Sequence, residues 1–243
     1  MIAVKNLSKS FKKIRAVDSI NFHVNDGEIV GLLGENGAGK TTTLRILATM
    51  LKSTEGTAVV NGYDINKEPE TVRGEIGILF GGEVGLYDRL TARENIRYFA
   101  ELNGMSRREA DESIDKLSQS LEMEKYIDRK VGKFSRGMKQ KVAIARSIVH
   151  NPSVVLFDEP TAGLDVTAAK IVQEFILKCK NEKKAIIFSS HSMSEVEKLC
   201  NKIIIIHKGK ILEEGTIENL KLKYKSEDME EIFMNLVGGN DEE

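Results

Sequence analysis

Residues 34–41 read Gly34-Glu35-Asn36-Gly37-Ala38-Gly39-Lys40-Thr41, and no other stretch restricts the fold so strongly. Glycines at this spacing let the backbone turn sharply and bring several N–H groups onto one anion. Lys40 adds a compact cation suited to the β- and γ-phosphates of a nucleotide, and the Thr41 hydroxyl is an oxygen donor suited to Mg²⁺. Such a loop works between a strand and a helix. Residues 28–33, Glu28-Ile29-Val30-Gly31-Leu32-Leu33, are expected as the strand leading in. Residues 41–51 are expected as the helix leading out, with its positive N-terminus on the phosphates. The competing reading is an ordinary glycine-rich turn before a helix; the filled pattern and its flanks favour nucleotide binding.

The rest of the chain falls into three zones. Up to about residue 80, strands are expected at 2–4, 20–24, 29–33, 57–60 and 76–80, separated by Asn25-Asp26-Gly27, Ser53-Thr54-Glu55-Gly56 and Asn61-Gly62. From about 81 to 150 the pattern is helical. Thr91-Ala92-Arg93-Glu94 and Ser106-Arg107-Arg108-Glu109 both match a capping box, and Ser135 precedes a helix over 137–149. After 150, buried strands at 154–157 and 185–188 alternate with helices over 166–180 and after Ser192. A hairpin over 203–213 turns at Lys208-Gly209. Apolar strands without polar alternation, separated by helices, indicate a parallel sheet covered on both faces. Met229, Ile232, Phe233, Leu236 and Val237 have helical spacing ahead of a short acidic tail.

Charge limits what the chain can hold. Acidic and basic residues nearly cancel, to a formal net charge of −1 over 243 residues. A nucleotide of about four negative charges must therefore be attracted by local charge at the loop. No basic block large enough for a nucleic-acid surface occurs, so no nucleic-acid partner is expected. Cys179 and Cys200 form no close pair, which suits a reducing compartment. No secretory signal is read at the N-terminus, and the apolar runs fall far short of the ~20 residues that cross a bilayer. Work at a membrane would need another chain to supply the spanning part.

Two further stretches carry chemistry. Val154-Val155-Leu156-Phe157 ends in Asp158-Glu159, and a buried parallel strand delivers its last side chains to the edge where open α/β sheets bind ligands. Asp158 is thus placed to hold Mg²⁺, and Glu159 to orient and deprotonate an attacking water. The bland alternative is a strand that merely ends in surface acids. Ser189-Ser190-His191 follows the next buried strand, so His191 should reach the same edge and donate to the γ-phosphate.

Phe134-Ser135-Arg136-Gly137-Met138-Lys139-Gln140 decides the class. Together with the stretches above, it resembles the nucleotide-binding subunit of ATP-binding cassette (ABC) transporters, over about residues 2–220 and with the motifs in family order. Residues 134–138 match the signature loop. Asp158-Glu159-Pro160 followed by Gly163-Leu164-Asp165 matches the Walker B and D-loop run, and His191 matches the switch histidine. Residues 77–91 and 134–142 look most like the NatA-type sodium-efflux exporters.

The resemblance implies an α/β P-loop NTPase (RecA-like) core with a mostly parallel sheet, an antiparallel β piece and an inserted helical subdomain. The nucleotide-binding domain would span 2–220, with the core at about 2–80 and 150–220 and the helical part at about 81–149; a C-terminal helix and acidic tail would follow at 221–243. It implies an ATPase with ATP and Mg²⁺ as cofactors. ATP would be held by Phe11, Gly34, Glu35, Asn36, Gly37, Ala38, Gly39, Lys40, Thr41 and Thr42, and the metal by Thr41 and Asp158. Lys40, Glu159 and His191 would act in catalysis. Two cassettes would face head to tail, with Ser135, Arg136, Gly137 and Asp165 reaching the partner's nucleotide. An integral membrane permease would dock near residues 80–90, between Phe80 and Leu90, placing the protein in the cytoplasm on the inner face of the membrane.

Two positions depart from the family pattern. Gly81 stands where most cassettes carry a Gln, and Arg136 where a glycine is usual. A soluble cassette acting on ribosomes or DNA is a rival, but such proteins usually carry two cassettes or a coiled-coil arm. A guanine-nucleotide switch is another; its Asn-Lys-x-Asp is missing, because Asn201-Lys202 runs into Ile203-Ile204. Export of drugs or other small molecules is the alternative to sodium.

Overall fold

A computed structural model describes residues 1–81 and 85–238. Its centre is a six-stranded sheet in the order β10-β9-β3-β8-β7-β6. β3 (Ile29–Leu33), β6 (Ile76–Leu79), β7 (Val154–Asp158), β8 (Ala185–Ser189) and β9 (Lys202–His207) run parallel, and β10 (Lys210–Gly215) closes a hairpin on β9. A second, antiparallel sheet orders β2 (Ile14–Val24), β1 (Ile2–Phe11), β4 (Glu55–Val60) and β5 (Tyr63–Asp64). The fold is the expected α/β P-loop architecture with an antiparallel β piece.

The uninterrupted apolar strands are explained by burial on both faces. Val30, Leu32, Leu156, Ile187, Ile204 and Ile206 pack with Leu44 and Leu47 of α1 (Lys40–Leu47) and with the antiparallel sheet. Their neighbours Ile29, Leu33, Val155, Phe157, Phe188 and Ile205 pack on the opposite face. There they meet α3 (Ala92–Leu102), α4 (Arg107–Ser120), α5 (Arg136–Ile148) and α6 (Val166–Asn181). A strand's side chains alternate between faces, so two buried faces erase the polar alternation. α2 (Pro69–Glu75), α7 (Met193–Leu199), α8 (Ile217–Tyr224) and α9 (Met229–Gly238) complete the chain. Among the described residues no helix is long and apolar enough to cross a membrane.

Several boundaries differ from the sequence expectation. The helix after the loop stops at Leu47 rather than at 51. Thr49 adopts a left-handed φ of 57°, and the N–H groups of Thr49 and Met50 bond back to Ile46 O and Arg45 O at 2.9 Å each. This pattern closes a helix by satisfying its last carbonyls, here without the usual glycine. β1 and β2 are far longer than the apolar runs at 2–4 and 20–24. Residues 20–24 of β2 alternate buried and exposed, and the ribbon becomes more exposed with register shifts toward its tip, as befits an antiparallel pair wet on one side. α2 and α8 were not expected; α2 begins with Pro69, whose fixed φ suits a first helical position. Thr91 and Ser106 form the two capping boxes read from the sequence.

α5 lies directly on β6. A Cβ added at Gly77 would stand 2.6 Å from Ser147 O, 2.9 Å from Ile148 Cγ2 and 2.9 Å from Pro152 Cγ. Backbone cannot yield as a side-chain tip can. Gly77→Ala is therefore expected to destabilise the fold by about 1–3 kcal/mol, read as a lower urea midpoint at unchanged slope. An unchanged midpoint would refute the close seating of α5.

Candidate functional site: a phosphate loop beside two carboxylates

β3 ends in the loop 34–39, which is held against two strands by backbone approach. A Cβ at Gly34 would fall 2.3 Å from Ile206 O, and one at Gly39 2.6 Å from Ala16 O. The β9–β10 turn braces the loop from the same side, with Gly209 N–H donating to Ala38 O at 2.9 Å. Glu35, Asn36 and Gly37 are exposed, Ala38 is buried and Thr42 is half-buried on α1. No side chain caps α1, so its first N–H groups keep their capacity for an anion.

Lys40 is buried, and Nζ donates to Gly34 O at 2.5 Å and Glu35 O at 3.1 Å. Burial lowers its pKa from the ordinary 10.5, against the opposing pull of Glu159, Asp158 and Glu35. The ammonium is thus curled onto the loop's own carbonyls, where phosphate oxygens can replace them as acceptors.

The carboxylates come to the same edge on β7. Buried Asp158 accepts from Thr41 Oγ1 at 2.7 Å through Oδ2 and from Ser189 Oγ at 2.6 Å through Oδ1. Glu159 turns off the strand with a left-handed φ of 52°, a conformation that bulky residues adopt at a cost. Its N–H is held by Ser189 O and Oγ, each at 3.1 Å. Its Oε1 lies 2.5 Å from His191 Nε2. Gly81 sits over this turn, where a Cβ would stand 3.2 Å from Asp158 O and 3.5 Å from Glu159 Cβ.

Ser135, Arg136, Gly137 and Asp165 form a neighbouring group. Ser135 caps α5, accepting from Met138 N–H at 3.3 Å, and Asp165 caps α6, accepting from Ala168 N–H at 2.9 Å. Arg136, exposed, folds back along residues 162–163 of its own chain, donating Nη2 to Ala162 O at 2.8 Å. Phe11 ends β1, is 43% exposed, and has Lys9 Nζ 5.1 Å from its ring centroid. It lies at the tip of the β1–β2 ribbon whose Ala16 backs the loop.

Three contributors went unread in the sequence. Ser189 orders both carboxylate residues. Gln140 is buried and donates Nε2 to Pro160 O at 2.7 Å, joining α5 to the segment after Glu159. Glu195 lies in the first turn of α7, three residues after its cap Ser192. Its backbone does bond to Ser192 Oγ, but its carboxylate turns away. It accepts from Thr161 Oγ1 at 2.9 Å, Ser190 Oγ at 2.8 Å and Gln173 Nε2 at 3.0 Å. A cavity of about 200 Å³ opens between Glu159, His191 and Glu195. Only the proximity of residues 161 and 190 in space could have revealed this role.

The family model for "ABC transporter" matches residues 17–162. The chain is 48% identical over 239 residues to the ABC transporter ATP-binding protein NatA of Bacillus subtilis (strain 168), covering 97% of each chain. The chain belongs to the ABC transporter family. It is an ATP-binding cassette, an ATPase subunit of the P-loop class. It is also 39% identical over 223 residues to the bacitracin transport ATP-binding protein BcrA of Bacillus licheniformis, covering 91% of this chain and 71% of that one. Among solved structures, the cassette superposes on an ATP-binding subunit of an ABC transporter with TM-score 0.89 and 29% identity, covering 97% and 99% of the two chains. A dimeric cassette in a post-hydrolysis state bound to ADP and Pi aligns with TM-score 0.81 and 27% identity, over 89% of this chain and 98% of that one.

Two outcomes follow from this geometry. The sequence assigns Lys40 to phosphate as an ammonium, and its lowered pKa means that the proton leaves at a pH below the ordinary 10.5. ATP affinity is expected to fall with rising alkalinity before that pH, followed by titration with a fluorescent ATP analogue. An affinity flat up to 10.5 would contradict a buried lysine. Glu195→Ala leaves Thr161 and Ser190 without their shared acceptor. Turnover should drop about tenfold, the equivalent of ~1.4 kcal/mol, with the KM for ATP within about twofold. Steady-state rates equal to wild type would remove Glu195 from the site.

Proposed function

We propose that this cassette hydrolyses ATP with Glu159 as general base, and that paired cassettes couple the reaction to sodium efflux through a separate membrane subunit. The convergence of Lys40, Thr41 and Asp158 with the Glu159–His191 pair at one sheet edge carries this reading. Lys40 and the N–H groups of the loop bind the β- and γ-phosphates. Glu159 takes a proton from water as its oxygen bonds to the γ-phosphorus, and the bridging P–O bond breaks to leave ADP. His191, already at hydrogen-bond distance from Glu159, keeps that carboxylate aimed at the water. Thr41 and Asp158 offer two hard oxygen donors in mutual contact, which fits Mg²⁺. Held there with the nucleotide, such an ion would supply neutralisation of phosphate charge.

Ser135 and the Gly137 N–H, at the N-terminus of α5, would meet the γ-phosphate of a partner cassette, with Asp165 at the junction. Val166 beside it is 87% exposed, an apolar group suited to being covered. ATP then joins two copies, and hydrolysis releases them. The membrane subunit would dock near residues 80–90, of which 82–84 lie outside the described residues. Exposed Tyr87 and Tyr98, packed edge to face at 5.6 Å, and exposed Leu102 support that surface. The cassette would work in the cytoplasm, on the inner face of the membrane.

Sodium as cargo is supported by the likeness of residues 77–91 and 134–142 to the NatA type and by the full-length similarity to the Bacillus subtilis NatA protein. The similarity to a bacitracin transport protein supports a second reading, export of a drug-like molecule. Glu159→Gln should keep ATP affinity, lose at least about 100-fold in turnover and accumulate an ATP-bound dimer on size exclusion. Wild-type turnover would exclude Glu159 as the base. The transport reading is tested by capturing the chain with its membrane partner, reconstituting vesicles and following ATP-driven sodium flux, with the Glu159→Gln complex as control. Movement of bacitracin without sodium would select the second reading, and capture of no integral partner would overturn transport.

A further inference from the structure

The first turn of α5 and residues 160–165 are joined within one chain at three points. Arg136 Nη2 donates to Ala162 O at 2.8 Å. Its guanidinium lies so close to Gly163 that an added Cβ there would stand 2.6 Å from Cζ, 2.7 Å from Nη1 and 2.9 Å from Nη2. One turn further along α5, buried Gln140 donates to Pro160 O at 2.7 Å. Gly137 completes the seam, with room for a Cβ only 3.0 Å from Ala168 Cβ and 3.9 Å from Asp165 Oδ2. Gly163 therefore serves twice: its φ of +69° disfavours a side chain, and its bare Cα leaves the space that the guanidinium occupies.

The same segment is tied on its other side to the reacting groups. Thr161 shares Glu195 with Ser190, which precedes His191, and His191 meets Glu159. A continuous path of contacts thus runs from Arg136 through 160–163 to Glu195 and on to the Glu159–His191 pair.

We propose that Arg136 is a positioning residue, an intrachain latch that makes the start of α5 and residues 160–165 move as one body. It rests on the head-to-tail reading above, in which Ser135 and Gly137 engage the partner's γ-phosphate. Through the latch, ATP in the partner's site sets the geometry of Glu159 and His191 in this chain. Hydrolysis at the two sites is then coupled, and the coupling depends on the planar, multi-donor guanidinium rather than on positive charge alone. Lysine, a point charge without the fork, does not reproduce it.

The test uses the full chain and four variants: Arg136→Ala, Arg136→Lys, Gly163→Ala and the Arg136→Ala/Gly163→Ala double. Gly163→Ala displaces the guanidinium while keeping its charge. Each single variant is expected to lower kcat about tenfold and to bring the Hill coefficient for ATP down toward 1, and the double variant should be no worse than either single. Half-saturating ATP should stay within about threefold. Rescue of kcat and cooperativity by Arg136→Lys, or multiplication of the single effects to about 100-fold in the double, would overturn the latch and place the charge on the partner's phosphate. Wild-type kcat and Hill coefficient in all four would overturn it too. The underlying reading is judged separately on the unmodified chain and Glu159→Gln. If wild type has a Hill coefficient of 1 and Glu159→Gln stays monomeric with ATP, the head-to-tail reading fails and the latch with it. If those controls behave as expected and the variants do not, the latch alone fails.

Discussion

The hydrogen bond from Thr41 to Asp158, 2.7 Å across a sequence separation of 117 residues, is the contact on which the site depends. It connects the first turn of α1 to the last residue of β7, so the phosphate loop and the carboxylates occupy one edge. Ser189 extends the same chain to β8 and fixes the backbone of Glu159. Two strands and one helix are thereby locked at the point where charge must be handled. Fully partnered polar groups of this kind are strong in a low-dielectric setting and costly when one member is lost.

Backbone proximity supplies the second constraint. The loop 34–39 lies against Ile206 O and Ala16 O at distances that admit no side chain at Gly34 or Gly39. The parallel sheet and the antiparallel β1–β2 ribbon therefore share responsibility for the loop. The β9–β10 turn, remote in sequence, joins them through Gly209. Replacing loop residues alone would not transplant the site, because its shape is imposed by strands on both sides.

Residues 160–165 hold an unusual position. One side touches α5 through Arg136 and Gln140; the other touches Glu195, and through it the residue before His191. A short loop fastened at both margins transmits displacement rather than absorbing it. The single-residue departure at Arg136 gains meaning here, since a guanidinium spans a distance that glycine would leave empty. Gly81 has the opposite effect: it leaves the turn at Glu159 open where a longer side chain would lie over it.

Much of this was legible in the chain itself. The glycine spacing of 34–39, Lys40 and Thr41, the apolar run ending in Asp158-Glu159 and the capping boxes at Thr91 and Ser106 are local patterns, and local patterns follow from backbone sterics and hydrogen bonding within a few residues. The doubly covered sheet was readable because burial on two faces leaves a direct mark on composition. The early stop of α1 was not, because Thr49 takes a conformation usually left to glycine. The long β1–β2 ribbon was missed because its wet face dilutes the apolar signal. The roles of Ser189, Gln140 and Glu195 and the fold-back of Arg136 onto Ala162 were decided by tertiary structure alone. Each has a hydrogen-bond partner at least 20 residues away in the chain. The sequence by itself determined which chemical groups this protein owns and the elements that carry them. The packing of β7, β8, α5 and α7 decided which of those groups touch, because hydrogen bonds act over about 3 Å while residue order says nothing of distance across a folded core.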